Sequence, residues 1–581
     1  VGILPYTTQQ RSAQDADGVT AFPTCRLDIL PHTTYYGLRY SGIRIQAWQI
    51  MTDSRASEGQ TLSAAQLRLV SLIIAASFVL SGALGLLRGV IIGAIFGASA
   101  ALDAFYAAYR LPEMLFTLVA GGALGSAFIP VFSRHLTQGD NAGAWRLARA
   151  TLTSITLIAL LLSLGASLIA FPIVDRLLVP QASPAQKQLT AELMQIMLIT
   201  VAIFSASGLI MAILNANQRF LAPALAPSMN NVGLIGGALL LAPQMGVHGL
   251  AWGAVMGAVL HLLIQLPALR PFAARLRPDG TLIADGLGEI VRLMLPRLIG
   301  MAAVQLNFVV NIILASAMPE GSLAALSIAF TLMFVVLGVV AQSAGTAIFP
   351  TLSLYGARGE LERFRSTLSG ALRGVLFIAL PATGGLVVLA QPLVSVLFER
   401  GAWSRTDTVA TAWALSFFAL GLAAFALQEL LARAFYALRN TIAPVTVAVG
   451  GLILNVALSL TLIQVVRGAE AGQGAHGGLA LANALATAVE SLVLWLWLRR
   501  KIGTLDDQAV LSMAGRALLA ALGMSAGVWA VSQLLAQAAP LIVVMVCVPL
   551  GALLYQGLAL LLGLSEARNV PLSILGRFKR G

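Results

Sequence analysis

The sequence predicts an all-α polytopic membrane protein of about 14 transmembrane helices, built as two pseudo-repeated six-helix lobes plus two C-terminal helices. Three observations lead there. The 581 residues are 58% hydrophobic and 10% charged, with a mean hydropathy of +0.87. Soluble domains carry about 25% charged residues, so this chain belongs in a bilayer. Fourteen apolar segments are long enough to span, and two sequence phrases recur at nearly one offset.

Residues 1–62 are polar and irregular, with no secretory apolar core, and read as a disordered tail or an over-long start, Val1 and a later Met51 being the hint. The apolar segments follow at about 67–96, 101–133, 147–173, 190–216, 221–243, 247–269, 287–316, 321–353, 366–398, 407–437, 442–466, 475–498, 511–536 and 539–563. Each exceeds the ~20 residues that a helix needs to cross the hydrocarbon. Barrel-strand alternation is absent, which leaves helices as the spanning element.

Loop charge sets the orientation. With the N-terminus inside, the inner loops and tail hold 18 Arg and Lys residues, among them Arg134, Arg146, Arg149, Arg363, Arg365 and the run Arg499–Arg500–Lys501; the outer loops hold five. That is a positive-inside bias with both termini cytoplasmic. The net charge of +12 sits in these short clusters, which suits loops facing anionic lipid and not a nucleic-acid surface. Cys25 and Cys547 form no metal or redox spacing.

AFIPVFS at 127–133 returns as AIFPTLS at 347–353, and AILNANQRFLAP at 212–223 returns as AFYALRNTIAP at 434–444. The offsets are 220 and 221 residues, so the duplicated unit is a six-helix half. Six is even, and both copies therefore enter the membrane from the same side. The predicted divisions are a tail at 1–62, an N-terminal lobe at 63–283, a C-terminal lobe at 284–505, and two further helices with a basic tail at 506–581.

Charges inside the spans mark the candidate site, since each is disfavoured in hydrocarbon by ~3 kcal/mol on insertion scales. Arg88 can face an aqueous cavity and bind an anionic group, or snorkel to one membrane face. Asp103 begins the second helix, where a carboxylate meets a positive helix terminus; capping and gating are both open. Arg110 and Glu113 flank Pro112 and stand three apart, as a pair on one face would. The run LPRLIGMAAVQLNFVVNIILAS places Arg297, Gln305, Asn307 and Asn311 in one span, to line a cavity, hold a cation or bond between helices. Glu429 and Arg433 form an i,i+4 pair, structural or part of an ion-coupled gate, beside Gln428. No HExxH, nucleophile, Walker or dinucleotide motif is present, so an enzyme is not expected, nor a cofactor; transport would draw on an ion gradient or the membrane potential.

LDAFYAAYRLPEMLFTLVAGGALGSAFIPVFS, LARAFYALRNTIAPV and LMFVVLGVVAQSAGTAIFPTLS resemble the MurJ (MviN) family, fourteen-helix lipid II flippases of the multidrug/oligosaccharidyl-lipid/polysaccharide exporter superfamily. The resemblance covers about residues 65–565. It implies translocation of undecaprenyl-diphosphate-linked peptidoglycan precursor across the bacterial inner membrane by alternating access. Helices 1, 2, 7 and 8 would form a cationic cavity, and the last two helices a groove for the lipid tail. Arg88, Arg110 and Arg297 would contact substrate; Asp103, Glu429 and Arg433 would gate or position. Membrane lipids and the cell-wall synthesis machinery are the further candidate partners. The family often has arginine where this chain has Gly82, Phe116 and Thr331, and some members carry an acidic sodium ligand where it has Asn311. The thinned charge leaves two alternatives, an exporter of another polyprenyl-linked glycan or amphiphilic molecule, and a non-transporting scaffold.

Overall fold

The computed structural model describes residues 64–568 apart from 121, 278–279, 467 and 469–471. The predicted N-terminal tail lies outside the described residues, as does most of the basic C-terminal tail. Among the described residues, seventeen helices of 16 or more residues carry the chain. The first seven are α1 (Ala64–Phe96), α2 (Ala100–Ala120), α3 (Gly122–Thr137), α4 (Asn141–Leu168), α5 (Pro184–Ala216), α6 (Leu221–Gly236) and α7 (Val247–Leu263). A connection leads to α8 (Leu287–Ala315), then α9 (Ser322–Leu337), α10 (Ser343–Arg358), α11 (Leu361–Phe398), α12 (Arg405–Leu420) and α13 (Leu422–Ala437). The last four are α14 (Ile442–Val465), α15 (His476–Ile502), α16 (Asp507–Leu534) and α17 (Pro540–Leu561).

Every predicted apolar segment falls on one of these helices or on a broken pair. Twelve stretches are long and apolar enough to cross a membrane; α12 and α13, bent by 48°, make a thirteenth. The 29-residue α8 corresponds to the remaining predicted span and carries an apolar stretch at Val304–Ala315. About fourteen transmembrane helices is therefore the architecture.

Local chemistry sets the helix ends. Ser183 accepts the Gln186 N–H ahead of Pro184, and Ser404 with Asp407 forms a reciprocal capping box at α12. The bends have identifiable causes as well. At the bend between α12 and α13, Gly421 lets Ala484 of α15 come close, since a Cβ there would lie 2.8 Å from that of Ala484. A π turn at Gly338–Gln342 separates α9 from α10.

The repeat is visible in the backbone. AFIPVFS lies on α3 and AIFPTLS on α10, each the second part of a broken span. Gln218 and Arg439, 221 residues apart, both hold a left-handed conformation at the turn into the next helix, with φ of 59° and 57°. Non-glycine residues rarely adopt it, so its recurrence at the same place is independent structural support for duplication.

Packing completes the frame. The α6 and α7 backbones approach through Gly233, Gly237, Gly253 and Gly257, the small-residue contact by which membrane helices come close. Helix α8 touches both α3 and α14, so it bridges the two sets of helices. The final pair, α16 and α17, packs on α11, where the Tyr555 hydroxyl donates to the Phe377 carbonyl at 2.7 Å.

Candidate functional site

Asp103 is the structural centre of the site. Ser99 begins α2 by accepting the Asp103 N–H on its carbonyl (2.9 Å) and the Leu102 N–H on its hydroxyl (3.4 Å). Of the two roles that the sequence leaves open, capping and gating, the carboxylate makes no capping hydrogen bond on its own helix among the described residues. Its two oxygens instead accept the backbone N–H groups of Gly321 and Ala324, both at 2.7 Å, and so cap α9, more than two hundred residues away. Asp103 stands a full turn past the N-cap, so its side chain reaches outward to a neighbour. It is 6% exposed. Charge-assisted bonds of this kind are among the strong ones.

The same end carries a second tie. The Ala402 N–H donates to the Ala94 carbonyl at 2.8 Å, and the Ala98 N–H reaches the Asp407 carboxylate at 3.4 Å. Two glycines make the approach possible. Gly97 (φ +63°) would place a Cβ 2.6 Å from the Ala402 oxygen, and Gly321 (φ +84°) would drive one into the Ala98 carbonyl. Residues 94–103 are therefore held by two segments of the second half, 321–324 and 402–407.

At the opposite end, Arg134 of α3 pairs bidentately with Glu289 of α8, one bond being 3.1 Å. Both side chains there are almost half exposed. An exposed pair is screened by solvent and contributes little, against ~1.5–3 kcal/mol for each buried hydrogen bond to a charged group. The Asp103 end is the firmly shut one.

The candidate cations differ in their surroundings. Arg110 donates to Glu113 and to Gln305 of α8, both at 2.8 Å, and its guanidinium lies 4.0 Å from the Phe308 ring centroid. Glu113 offsets its charge, so Arg110 joins α2 to α8 as much as it offers a cation. Arg88 donates to the Asn231 side-chain oxygen Oδ1 at 3.0 Å, and the Asn231 side-chain NH₂ donates to the Ser81 backbone carbonyl at 3.1 Å. Arg88 makes no ion pair among the described residues, so no carboxylate there offsets its charge. Asn231 is a residue that sequence reading missed; the adjacent asparagines Asn230 and Asn231 in the run APSMNNVGL were the available signal. Arg297 lies on α8, and its side chain is outside the described residues.

The buried acceptor oxygens of Asn307 and Asn311 have no hydrogen-bond partner among the described residues. Helix α14, packed on α8, buries Asn455 and Ser459 with their polar atoms likewise unpartnered. Glu429 and Arg433 do pair, at 2.6 Å, and Arg433 also donates to Thr346 of α10 at 2.7 Å. Gln428 donates instead to Glu490 of α15, a half-buried carboxylate the sequence reading did not single out. At the three positions where arginine was expected, Gly82 stands in open space, Phe116 packs its ring 5.0 Å from Phe204, and the Thr331 hydroxyl returns to its own helix.

A helical bundle tied through buried contacts at one end, and carrying within a span an arginine with no carboxylate partner among the described residues, defines a multi-pass membrane protein built like a transporter. A family model described as "Lipid II flippase MurJ" matches residues 92–548. A probable lipid II flippase MurJ from Bdellovibrio bacteriovorus is 31% identical over 508 residues, covering 86% of this chain and 95% of that protein. The lipid II flippase MurJ of Burkholderia cenocepacia is 30% identical over 433 residues, 73% of this chain and 82% of that one. This chain belongs to the lipid II flippase MurJ family. Its fold is that of a solved MurJ in an inward closed conformation, with a TM-score of 0.70 at 23% identity over 84% of this chain and 98% of that one. An inward-facing multidrug transporter of the wider MOP superfamily shares the fold at a TM-score of 0.62 and 16% identity, over 74% of this chain and 96% of the other.

Proposed function

We infer that this protein flips lipid II, the polyprenyl-diphosphate-linked peptidoglycan precursor, from the inner to the outer leaflet of a bacterial cytoplasmic membrane. Membership of the family carries the substrate. The observation that supports alternating access is the Asp103 carboxylate reaching across the molecule to cap α9, a tie that must break for that end to open. The positive-inside bias puts both termini in the cytoplasm and the Asp103 end on the periplasmic face.

In this reading Arg88 contacts the diphosphate, because its charge is not committed to a carboxylate, and Arg110 and Arg297 assist. Asp103 gates, and Glu429 with Arg433 holds α13 against α10 during the motion. An ion gradient or the membrane potential drives the cycle; Asn307 and Asn311 offer neutral oxygens to a coupling cation, a weaker attraction than a carboxylate would give. Cell-wall synthesis enzymes are the natural recipients of the product.

The test is rescue of a flippase-depleted bacterium, with lipid II exposure measured at the outer leaflet. Wild-type protein restores growth and exposure. Arg88→Ala reaches the membrane at normal abundance and restores neither. Full rescue by that variant removes Arg88 from the mechanism, and failure of the wild type rejects the substrate.

A further inference from the structure

A small cleft lies where α11, α16 and the chain just past α17 meet, at the end of the bundle that also holds Arg365 and Arg499. Its volume is about 130 Å³, and Arg373, Ser512, Arg516, Ser565 and Glu566 are among its lining residues. Sites that enclose whole drug-sized ligands run to ~300–1,000 Å³. This one has room for a single charged group and not for the glycan-bearing head of the transported lipid.

The charges inside it are incompletely matched. The nearest approach of Arg373 to Glu566 is 3.6 Å, an ion pair too long for a hydrogen bond, and its buried Nε has no partner. Glu566 directs its other oxygen to the Ser565 hydroxyl at 3.0 Å. Arg516 is exposed and has no ion-pair or hydrogen-bond partner among the described residues. Two arginines and one glutamate line the cleft, for a net charge of +1. Guanidinium groups with free donors are suited to bidentate contact with phosphate oxygens.

Position selects the source of the phosphate. Helix α11 has 38 residues, a length of ~57 Å at 1.5 Å per residue, and far exceeds the ~30 Å hydrocarbon thickness. Its first dozen residues can therefore project beyond the hydrocarbon, which brings Arg373 to the level of the headgroups. The arginine-rich end is the one that faces the anionic inner leaflet.

We propose that this cleft binds the phosphate of an anionic phospholipid headgroup in the inner leaflet, a lipid that is held and not transported. Basic pockets between membrane helices on this side recognise such headgroups by charge and hydrogen bonding. The proposal stands apart from the transport reading, since no residue of the cleft belongs to the Arg88 and Asp103 site.

Full-length protein in detergent is titrated with phosphatidylglycerol, phosphatidylcholine or inorganic phosphate, and retained lipid is counted by native mass spectrometry. Phosphatidylglycerol is retained in preference to phosphatidylcholine. Arg516→Gln and Arg373→Gln each weaken its binding about fivefold, while Glu566→Gln strengthens it. Opposite signs from neighbouring positions separate anion recognition from general damage, and exposed Arg516 provides the test should Arg373→Gln not fold. Equal phosphatidylglycerol binding by wild type and Arg516→Gln overturns the proposal, as does weakened binding by Glu566→Gln. Displacement of the lipid by inorganic phosphate at matched concentration would assign the cleft to a soluble anion and overturn it too.

Discussion

Replacing Asp103 by asparagine keeps the size of the side chain and removes its charge. One of the two backbone N–H groups, Gly321 or Ala324, then faces an amide NH₂ instead of an oxygen. The loss is one hydrogen bond to a charged group, ~1.5–3 kcal/mol, plus most of the attraction between a carboxylate and the start of α9, ~0.3–1 kcal/mol and up to ~2 when partly buried. A total of about 3 kcal/mol lowers the ratio of shut to open molecules roughly 150-fold. A population of about 99:1 would become nearly even. Spin labels on Gln181→Cys and Thr406→Cys, exposed residues at the Asp103 end, report the change by pulsed double electron–electron resonance, in a background with Cys25 and Cys547 replaced. Wild type gives one short distance, and Asp103→Asn adds a longer component of comparable weight. Identical distance distributions for wild type, Asp103→Asn and Asp103→Ala would refute the latch.

Gly257→Ala would bring a Cβ within 2.7 Å of the Asn230 side-chain oxygen and 2.8 Å of its carbonyl; overpacking of this kind disfavours folding by ~1–3 kcal/mol, so the thermal midpoint in detergent falls, whereas Gly165→Ala, with nothing within 4 Å, leaves it unchanged or higher. A double-mutant cycle of Glu429→Gln and Arg433→Gln, read by thermal unfolding, yields a coupling of about 1 kcal/mol for this partly buried pair; a coupling of zero would make the contact incidental. Asp140 caps α4, and the Gly143 N–H together with the His135 ring holds its carboxylate below the ordinary range. A depressed value stabilises the fold above the unfolded carboxylate pKa of ~3.9 and loses that contribution as pH falls through the depressed one. The stability gap between wild type and Asp140→Asn should therefore be present at neutral pH and close in acid; a gap independent of pH would contradict the assignment.

Membrane class, helical spans and the duplication are all legible in the amino-acid order. Each of these is a local or periodic property: an apolar run must bury its backbone bonds as a helix in hydrocarbon, and AFIPVFS repeats whether or not its partner helices are in view. The Glu429–Arg433 and Arg110–Glu113 pairs were legible for the same reason, since three- and four-residue spacing fixes them on one helix face. Contacts between distant segments were not. Nothing in LDAFYAAYR shows that Asp103 meets the N–H groups at 321 and 324, because that depends on where α9 starts relative to α2. The same applies to Asn231 beneath Arg88 and to Glu490 beside Gln428. A polar side chain takes its role from the groups within about 3 Å of it, and across hundreds of residues only the tertiary structure decides which those are.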